Sequence, residues 1–207
     1  MTNQGEVITK DRIGFEKSNK ALGLIYKEWY ELILNFTSRK EGINIELGCG
    51  ASFIDQINKS IKKTDVFLNS NTDFKLNAMD IGDNFENQIS NLILINVFHH
   101  ISDPELFLRS AEKSLLIGGR IIMIEPSNNY WSRLVYKLIG HEPFDTRQIE
   151  WKFESKDPLL DSNQALSWII FERDYQKFKN LFPMFSLIQK KNMICLLYTS
   201  PSPRDDQ

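Results

Sequence analysis

Residues 43–53, INIELGCGASF, decide the fold, because a short apolar run leads directly into two glycines. Ile43–Leu47 has the composition of a short buried strand. Gly48 and Gly50 have no β-carbon, so the backbone after this strand can turn tightly and let a ligand approach closely. The stretch therefore predicts a strand that ends in a ligand-binding turn.

Strands and helices alternate on both sides of this stretch. Apolar residues at intervals of three and four predict a helix over residues 19–35, inside an N-terminal helical unit of residues 19–42. Further strands are predicted at residues 64–68, 74–78, 91–98 and 120–125. Helices are predicted at 53–62 and from Ser102 to Gly118–Gly119. Such alternation is typical of an α/β domain with an open, mostly parallel sheet and helices on both faces.

Composition excludes several other classes of protein. A chain of 207 residues is long enough for one sizeable domain, and 25 basic against 27 acidic residues give no surplus for a nucleic-acid partner. The two cysteines, Cys49 and Cys195, lack the spacing of a disulfide framework or a zinc site, so no metal is expected. The polar N-terminus and the short apolar runs predict a cytoplasmic protein without a membrane span.

Two cofactor classes fit a glycine turn after the first strand. A nicotinamide dinucleotide is disfavoured, because Phe53 stands where the third glycine of the dinucleotide fingerprint belongs. Glu46, just before the glycines, suits a ligand with a cationic end better than one with a pyrophosphate.

Three segments together resemble class I S-adenosylmethionine-dependent methyltransferases of the type-11 group. IELGCGASF looks like their first motif, NAMDI resembles their adenine-binding segment, and residues 91–126 are similar to their fourth-strand to fifth-strand region. The resemblance covers residues 43–126, which would form the cofactor-binding half. It implies a Rossmann-like fold and S-adenosyl-L-methionine as the cofactor.

The resemblance assigns roles to individual residues. The methionine end of the cofactor would lie against the first motif, the ribose hydroxyls against an acid after the second strand, and the adenine against the NAMDI segment. The implied cofactor-binding residues are Glu46, Gly48, Cys49, Gly50, Asp65, Asn77, Ala78, Met79 and Asn96. Asn96 and Phe98 would border the site of methyl transfer. The chain departs from the family at Asn77, where aspartate is usual, and at Ser52, which replaces a frequent glycine.

Candidate general bases are histidines. His99 and His100 follow a buried strand, where neighbouring side chains point to opposite faces, so they are not expected to share one site. The resemblance favours a structural role for this pair, with catalysis by His100 as the less favoured alternative. His141 is a second candidate base, oriented by Glu142 or Asp145, against a favoured alternative of a surface turn.

The implied reaction is an in-line transfer of a methyl group to a small-molecule, lipid or glycan acceptor. A base is needed only if the acceptor must lose a proton, and oxygen, nitrogen and carbon acceptors stay open. The aromatic-rich residues 127–170 are expected to form a largely helical cap over the acceptor. The alternatives are a non-catalytic cofactor-binding protein on the same fold and an NAD-dependent oxidoreductase.

The C-terminal part of the chain ends in an unusual segment. Residues 171–194 are expected to contribute a last helix at 172–181 and a strand at 185–193, which would complete a single domain of residues 1–194. Residues 195–207 resemble the translation of a sequencing-library adapter, so a non-native tail and a truncated C-terminal hairpin are expected. A sheet that loses a strand exposes unpaired backbone, and we expect poor stability or aggregation as a result.

Overall fold

A five-stranded parallel sheet organises the chain. The computed structural model describes residues 19–128, 143–157 and 161–191. The strands are β1 (Ile43–Leu47), β2 (Lys62–Asp65), β3 (Phe74–Lys75), β4 (Ile89–Ile95) and β5 (Leu115–Ile124). Their order is β3-β2-β1-β4-β5 and every neighbouring pair is parallel. The predicted open, Rossmann-like sheet is confirmed.

Helices cover both faces of this sheet. They are α1 (Lys20–Asn35), α2 (Ile81–Asn84), α3 (Pro104–Ser114), α4 (Leu166–Trp168) and α5 (Tyr175–Leu181), and the π-helical turn Ile169–Arg173 joins the last two. Two helix starts follow from their capping residues: Asn19 accepts a hydrogen bond from the amide of Leu22, and Asp103 accepts one from the amide of Leu106. The second cap confirms the helix start predicted near Pro104.

The buried strand β4 divides the core into two layers. Leu92 and Leu94 point to the layer that contains α3, α4 and α5, whereas Ile93 and Ile95 point to the layer that contains α1. All seven residues of β4 are buried. A strand that is covered on both faces has a continuous apolar run of residues, which is why β4 was recognisable in the sequence.

Two strands end earlier than predicted, because polar side chains bind the backbone where each strand leaves the sheet. After β4, Asn96 adopts a φ of +54°, and the next residues form the 3-10 turn Phe98–His100 instead of continuing to residue 98 as a strand. After β2, the carboxylate of Asp65 accepts a hydrogen bond from the amide of Phe67, so this strand spans 62–65 rather than 64–68.

The prediction of a helix over residues 53–62 is wrong. Only one 3-10 turn forms there, at Ile54–Gln56. The side chain of Asn58 accepts hydrogen bonds from both the amide and the hydroxyl of Ser60. This local turn gives the backbone an alternative to a helix, and the chain enters β2 two residues later.

Gly118 and Gly119 do not end helix α3, contrary to the prediction. The helix ends at Ser114, and β5 begins with the buried residue Leu115. The pairing of β4 with β5 shifts between Ile89 and Asn91, so the extra residues of β5 bulge outward. Gly118 adopts a φ of +82° in this bulge, a conformation that favours glycine.

The region after β5 differs most from the prediction. Residues 143–157 and 161–165 contain no helix. The helix predicted at 172–181 spans Tyr175–Leu181 and follows α4 and the π-helical turn. The amide of Asn163 holds an irregular loop, because it bonds the backbone of Asp145 and the side chain of Gln148. Residues 129–142, and with them His141, lie outside the described residues.

The strand predicted at residues 185–193 is absent over residues 185–191. Pro183 follows the C-cap residue of α5, Phe182, and residues 186–191 are all exposed. A segment that buries no apolar face gains little from joining a sheet, so β5 is the last strand within the described residues. The tail 195–207 lies outside them. In the same described part of the chain, no helix has the length and hydropathy needed to cross a membrane.

The two-layer core predicts a sharp contrast between two isoleucine substitutions. Ile93→Ala should lower the free energy of unfolding by about 3 kcal/mol, because the side chain is fully buried. Ile117→Ala, at a residue that is 91% exposed in the β5 bulge, should change it by less than about 0.5 kcal/mol. Urea unfolding followed by circular dichroism measures both values, and equal losses would contradict this description of the core.

Candidate cofactor-binding site

The parallel sheet brings the predicted site residues to one edge. Gly48 follows β1, Asp65 ends β2, Asn77 comes two residues after β3, and Asn96 follows β4. Strand β1 lies between β2 and β4, so the strand order reverses there. In open α/β sheets, ligands bind beyond the carboxyl ends of the strands at such a reversal.

The two glycines of the β1 turn serve different purposes. Gly48 adopts a φ of +61°, and a β-carbon at this position would lie 2.7 Å from a methyl group of Val97. Gly50 also has a positive φ, of +49°, but a β-carbon there would meet no atom within 4 Å. Gly48 therefore lets the turn pack against the segment after β4, whereas Gly50 faces open space that a ligand could fill.

Asp65 fixes the position of this glycine turn. Its carboxylate accepts a hydrogen bond of 3.0 Å from the amide of Gly50 and a second one from Phe67. Burial raises the pKa of Asp65 above its usual value, and the backbone hydrogen bonds act against this rise. These backbone hydrogen bonds do not use every lone pair of the carboxylate, so the ribose contact stays a prediction that this geometry permits.

Asn71 holds the same turn from the other side, and the sequence analysis missed it. Its side-chain amide donates to the carbonyl of Gly50 at 3.1 Å and to the carbonyl of Ser52 at 3.5 Å. Both backbone groups of Gly50 are thus held by side chains. Asn71 also borders a cavity of about 320 Å³ beside Phe53. Its only sequence signal was membership of a polar run after β2.

Glu46 lies enclosed beneath the turn. The hydroxyl of Tyr30 donates to one carboxylate oxygen at 2.5 Å, and the hydroxyl of Ser52 donates to the other at 2.5 Å. The residue is only 2% exposed, and burial raises its pKa to about 7 although both hydrogen bonds act in the opposite direction.

No cation pairs with Glu46 in the described part of the chain. The nearby ammonium group of Lys63 instead contacts the carboxylate of Asp55. Glu46 is therefore a buried acid whose partners are two neutral hydroxyls. Its direct contact with a cofactor stays a prediction, and the structure adds Tyr30 to the residues that build the site.

Glu125 organises the exit of β4. One of its oxygens accepts hydrogen bonds from the amides of Val97 and Phe98, at 2.9 and 2.7 Å, and the other accepts one from the ring of His99 at 2.6 Å. The side chains of Glu125 and His99 are both almost fully buried. Glu125 thus sets the backbone next to Asn96, where the resemblance places methyl transfer. The sequence offered only an acid between a strand and a proline.

The expectation that His99 and His100 point to opposite faces is wrong. Both lie in a 3-10 turn rather than in a strand, and their ring centroids are 4.3 Å apart. The His99 ring is hydrogen-bonded to Glu125, which agrees with a structural role for His99. Catalysis by His100 stays a prediction.

The predicted adenine segment forms a capped turn. Asn77 accepts a hydrogen bond of 3.0 Å from the amide of Met79 and so caps the 3-10 turn Ala78–Asp80. The side chain of Asn77 is exposed at the sheet edge, and Ala78 and Met79 are half-buried. Aspartate would cap this turn equally well, so the asparagine leaves the local backbone intact.

Cys49 lies buried within the glycine turn. Burial raises the pKa of the Cys49 thiol strongly, which keeps it protonated and unreactive at neutral pH. Within the described residues, no group of three or more histidine, cysteine, aspartate or glutamate side chains could hold a metal ion.

Comparisons with known proteins find likeness among solved structures. No family model and no curated protein matches the chain. The chain is similar to a solved selenomethionine-substituted carbon methyltransferase, CurJ, with 15% sequence identity and a TM-score of 0.43. The match covers 82% of this chain but 49% of the other, so this chain spans about half the length of its neighbour. At this level of similarity the likeness adds no argument to the geometry of the site.

The buried acid predicts how stability depends on pH. The pKa of Glu46 rises from 4.5 to about 7 on folding, so folding takes up a proton. The stabilisation this provides is complete below pH 4.5 and is lost as the pH rises through about 7. Between pH 4 and pH 8 the free energy of unfolding should therefore fall by about 3 kcal/mol more in the wild type than in Glu46→Gln.

Denaturant unfolding across this pH range measures the difference. Glu31→Gln is the matched control, because Glu31 lies on α1 with its carboxylate exposed and paired with Lys27. This control should follow the wild-type curve. Parallel curves for wild type and Glu46→Gln would show that Glu46 titrates normally.

The Glu125 cluster predicts a second loss of stability. Glu125→Ala leaves two buried backbone amides and the His99 ring without their acceptor, so the free energy of unfolding should fall by about 3 kcal/mol. Glu105→Ala removes an exposed pair with Arg109 and should cost less than about 1 kcal/mol. Thermal and urea unfolding compare the two, and a small loss at Glu125 would contradict its organising role.

Proposed function

We propose that this chain binds S-adenosyl-L-methionine at the carboxyl edge of the sheet and transfers its methyl group to a small-molecule, lipid or glycan acceptor. One observation supports the proposal above all others. Glu46 is a buried carboxylate without a cationic partner in the described residues, and it lies beside a glycine turn whose Gly50 faces open space.

The absence of a direct cationic partner for Glu46 in the described residues supports this ligand class, because the nearby ammonium of Lys63 is paired with Asp55. A buried carboxylate is stabilised by a nearby cation, and its desolvation disfavours the ionised form when none is present. S-adenosyl-L-methionine has a sulfonium and an ammonium group at its methionine end and would supply that charge. A nicotinamide dinucleotide would bring a negative pyrophosphate to the same turn.

The backbone after the turn also disfavours a dinucleotide. Dinucleotide-binding folds place the pyrophosphate at the N-terminus of a helix, where several amides are free to bind it. Here a single 3-10 turn, Ile54–Gln56, takes the place of that helix. The amide of Ile54 donates to the hydroxyl of Ser52, and that of Gln56 donates to the carbonyl of Phe53.

Three groups of residues would hold the proposed cofactor. The turn of Gly48, Cys49 and Gly50, with Glu46 beneath it, would hold the methionine end. Asp65 would accept a hydrogen bond from the ribose hydroxyls with the lone pair that its backbone partners leave open. The capped segment that begins at Asn77 would lie beside the adenine.

The cofactor supplies a methyl group that is already activated by the sulfonium. The acceptor's lone pair would form the new bond to carbon as the carbon–sulfur bond breaks, leaving a neutral thioether. The chain then has to align the two reactants and exclude water. Glu125 supports this alignment, because it locks the amides of Val97 and Phe98 beside Asn96. His100 and His141 are the candidate bases for an acceptor that must lose a proton.

Calorimetric titration tests the cofactor. S-adenosyl-L-methionine should bind saturably to the wild type, and NAD should give no saturable heat. Asp65→Ala should weaken binding at least about tenfold through loss of charge-assisted hydrogen bonds. Gly48→Val should abolish binding, because its side chain would collide with Val97. Asp83→Ala is the matched control, since that carboxylate is 79% exposed on α2.

Two outcomes would overturn the assignment. A folded wild type that binds NAD in preference would make the chain a dinucleotide-binding protein, and equal binding by wild type and Asp65→Ala would move the cofactor to another site. Turnover is a separate measurement. Transfer of a labelled methyl group from bound cofactor to an acceptor mixture separates a methyltransferase from a non-catalytic binding protein.

A further inference from the structure

Tyr30 links the N-terminal helix to the glycine turn. It lies on α1, sixteen residues before Glu46 in the chain, and its side chain is completely buried. The ring packs against Tyr26, which in turn contacts Phe53 just beyond the turn. Burial raises the pKa of the Tyr30 phenol far above its usual value, so its hydroxyl stays a proton donor at every physiological pH.

Tyr30, Ser52 and Glu46 form a closed triangle of oxygens. The hydroxyls of Tyr30 and Ser52 are 3.1 Å apart, and each lies 2.5 Å from a different oxygen of Glu46. The Ser52 hydroxyl also accepts a hydrogen bond from the amide of Ile54. Since each hydroxyl has one proton, both protons point at the carboxylate. Donors arranged in this way favour the ionised form of an acid.

Other charged and titratable groups near this triangle also influence whether Glu46 is ionised. The ammonium of Lys63, on β2, favours the ionised form of Glu46, and the carboxylate of Asp55 opposes it. The remaining neighbours are Cys49 and Asp65 in and beside the turn and Tyr26 on α1. None of them donates a hydrogen bond to Glu46 in the described contacts, so the two hydroxyls are its direct partners.

We propose that Tyr30 and Ser52 are positioning residues that keep Glu46 ionised beneath the glycine turn, so that α1 sets the pH at which a cationic ligand is accepted. The inference rests on the proposed function, because it takes the cationic end of S-adenosyl-L-methionine as that ligand. It assigns a role in cofactor affinity to a helix that lies outside the sequence segment resembling methyltransferases.

Cofactor affinity measured from pH 5.5 to pH 9 tests the proposal. Wild-type affinity should fall as the pH drops through about 7, where Glu46 takes up a proton. Tyr30→Phe keeps the ring but removes one donor, so the midpoint of this fall should move up by about one pH unit. At pH 7 this variant should bind about fivefold more weakly, and at pH 9 the two proteins should bind alike.

Two further variants make the result specific. Ser52→Ala removes the second donor and should move the midpoint in the same direction, which keeps the test decisive if Tyr30→Phe does not fold. Glu46→Gln should abolish this pH step altogether, which separates it from titration of the ligand's own amino group. Tyr175→Phe on α5 is the matched control, since Tyr175 is partly exposed and contacts Phe178 rather than the site.

A measurement without cofactor separates this inference from the proposed function. Carbon-13 NMR of the Glu46 carboxyl, assigned by its loss in Glu46→Gln, reports the pKa of that group directly. If S-adenosyl-L-methionine never binds but the pKa rises in Tyr30→Phe and Ser52→Ala, the hydroxyls hold the acid ionised and the cofactor assignment is wrong. An unchanged pKa in both variants would overturn the inference.

Discussion

The buried carboxylate of Glu46 is the constraint on which the site depends. It lies near the end of the central strand β1, and its two hydrogen bonds connect that strand to α1 through Tyr30 and to the far side of the glycine turn through Ser52. Water cannot solvate a group that is 2% exposed, so these two donors must replace its hydration. The position of α1 and the shape of the turn are therefore coupled through one side chain.

Acidic residues at the ends of two other strands hold the backbone beside the site. Asp65 after β2 holds the amide of Gly50, and Glu125 after β5 holds the amides of Val97 and Phe98. Both carboxylates bind backbone amides, and Glu125 also binds the His99 ring, whereas the partners of the Glu46 carboxylate in the described residues are two side-chain hydroxyls. The two segments that flank the strand reversal are thus shaped by the protein itself. Less ordering remains for a ligand to impose, which favours tight and accurately oriented binding.

The sequence predicted the features that depend on apolar periodicity. β1, α1 and the core of β4 were recognisable because burial on one or both faces leaves a regular pattern. Some predictions failed because polar side chains bind the backbone close by in sequence, as Asn58 does at Ser60. Others failed where polar side chains that are distant in sequence determine the backbone. Asn163 holds the loop before α4 through hydrogen bonds to Asp145. Glu125 lies just after β5, nearly thirty residues beyond the end of β4, and its hydrogen bonds end that strand. No local pattern contains such contacts, and the same reason hid Tyr30 from the predicted site.

A purely structural network at this position would not need a charge. Glutamine has the same shape as glutamate. Its side-chain amide could accept a hydrogen bond from Tyr30 and donate one to the hydroxyl of Ser52, without the free-energy penalty of burying an ion. The carboxylate instead raises the free energy of the folded chain at neutral pH, because burial raises its pKa. A buried group that destabilises the fold at neutral pH but attracts a cation supports a role in binding a cationic ligand. The sulfonium of the proposed cofactor is such a cation.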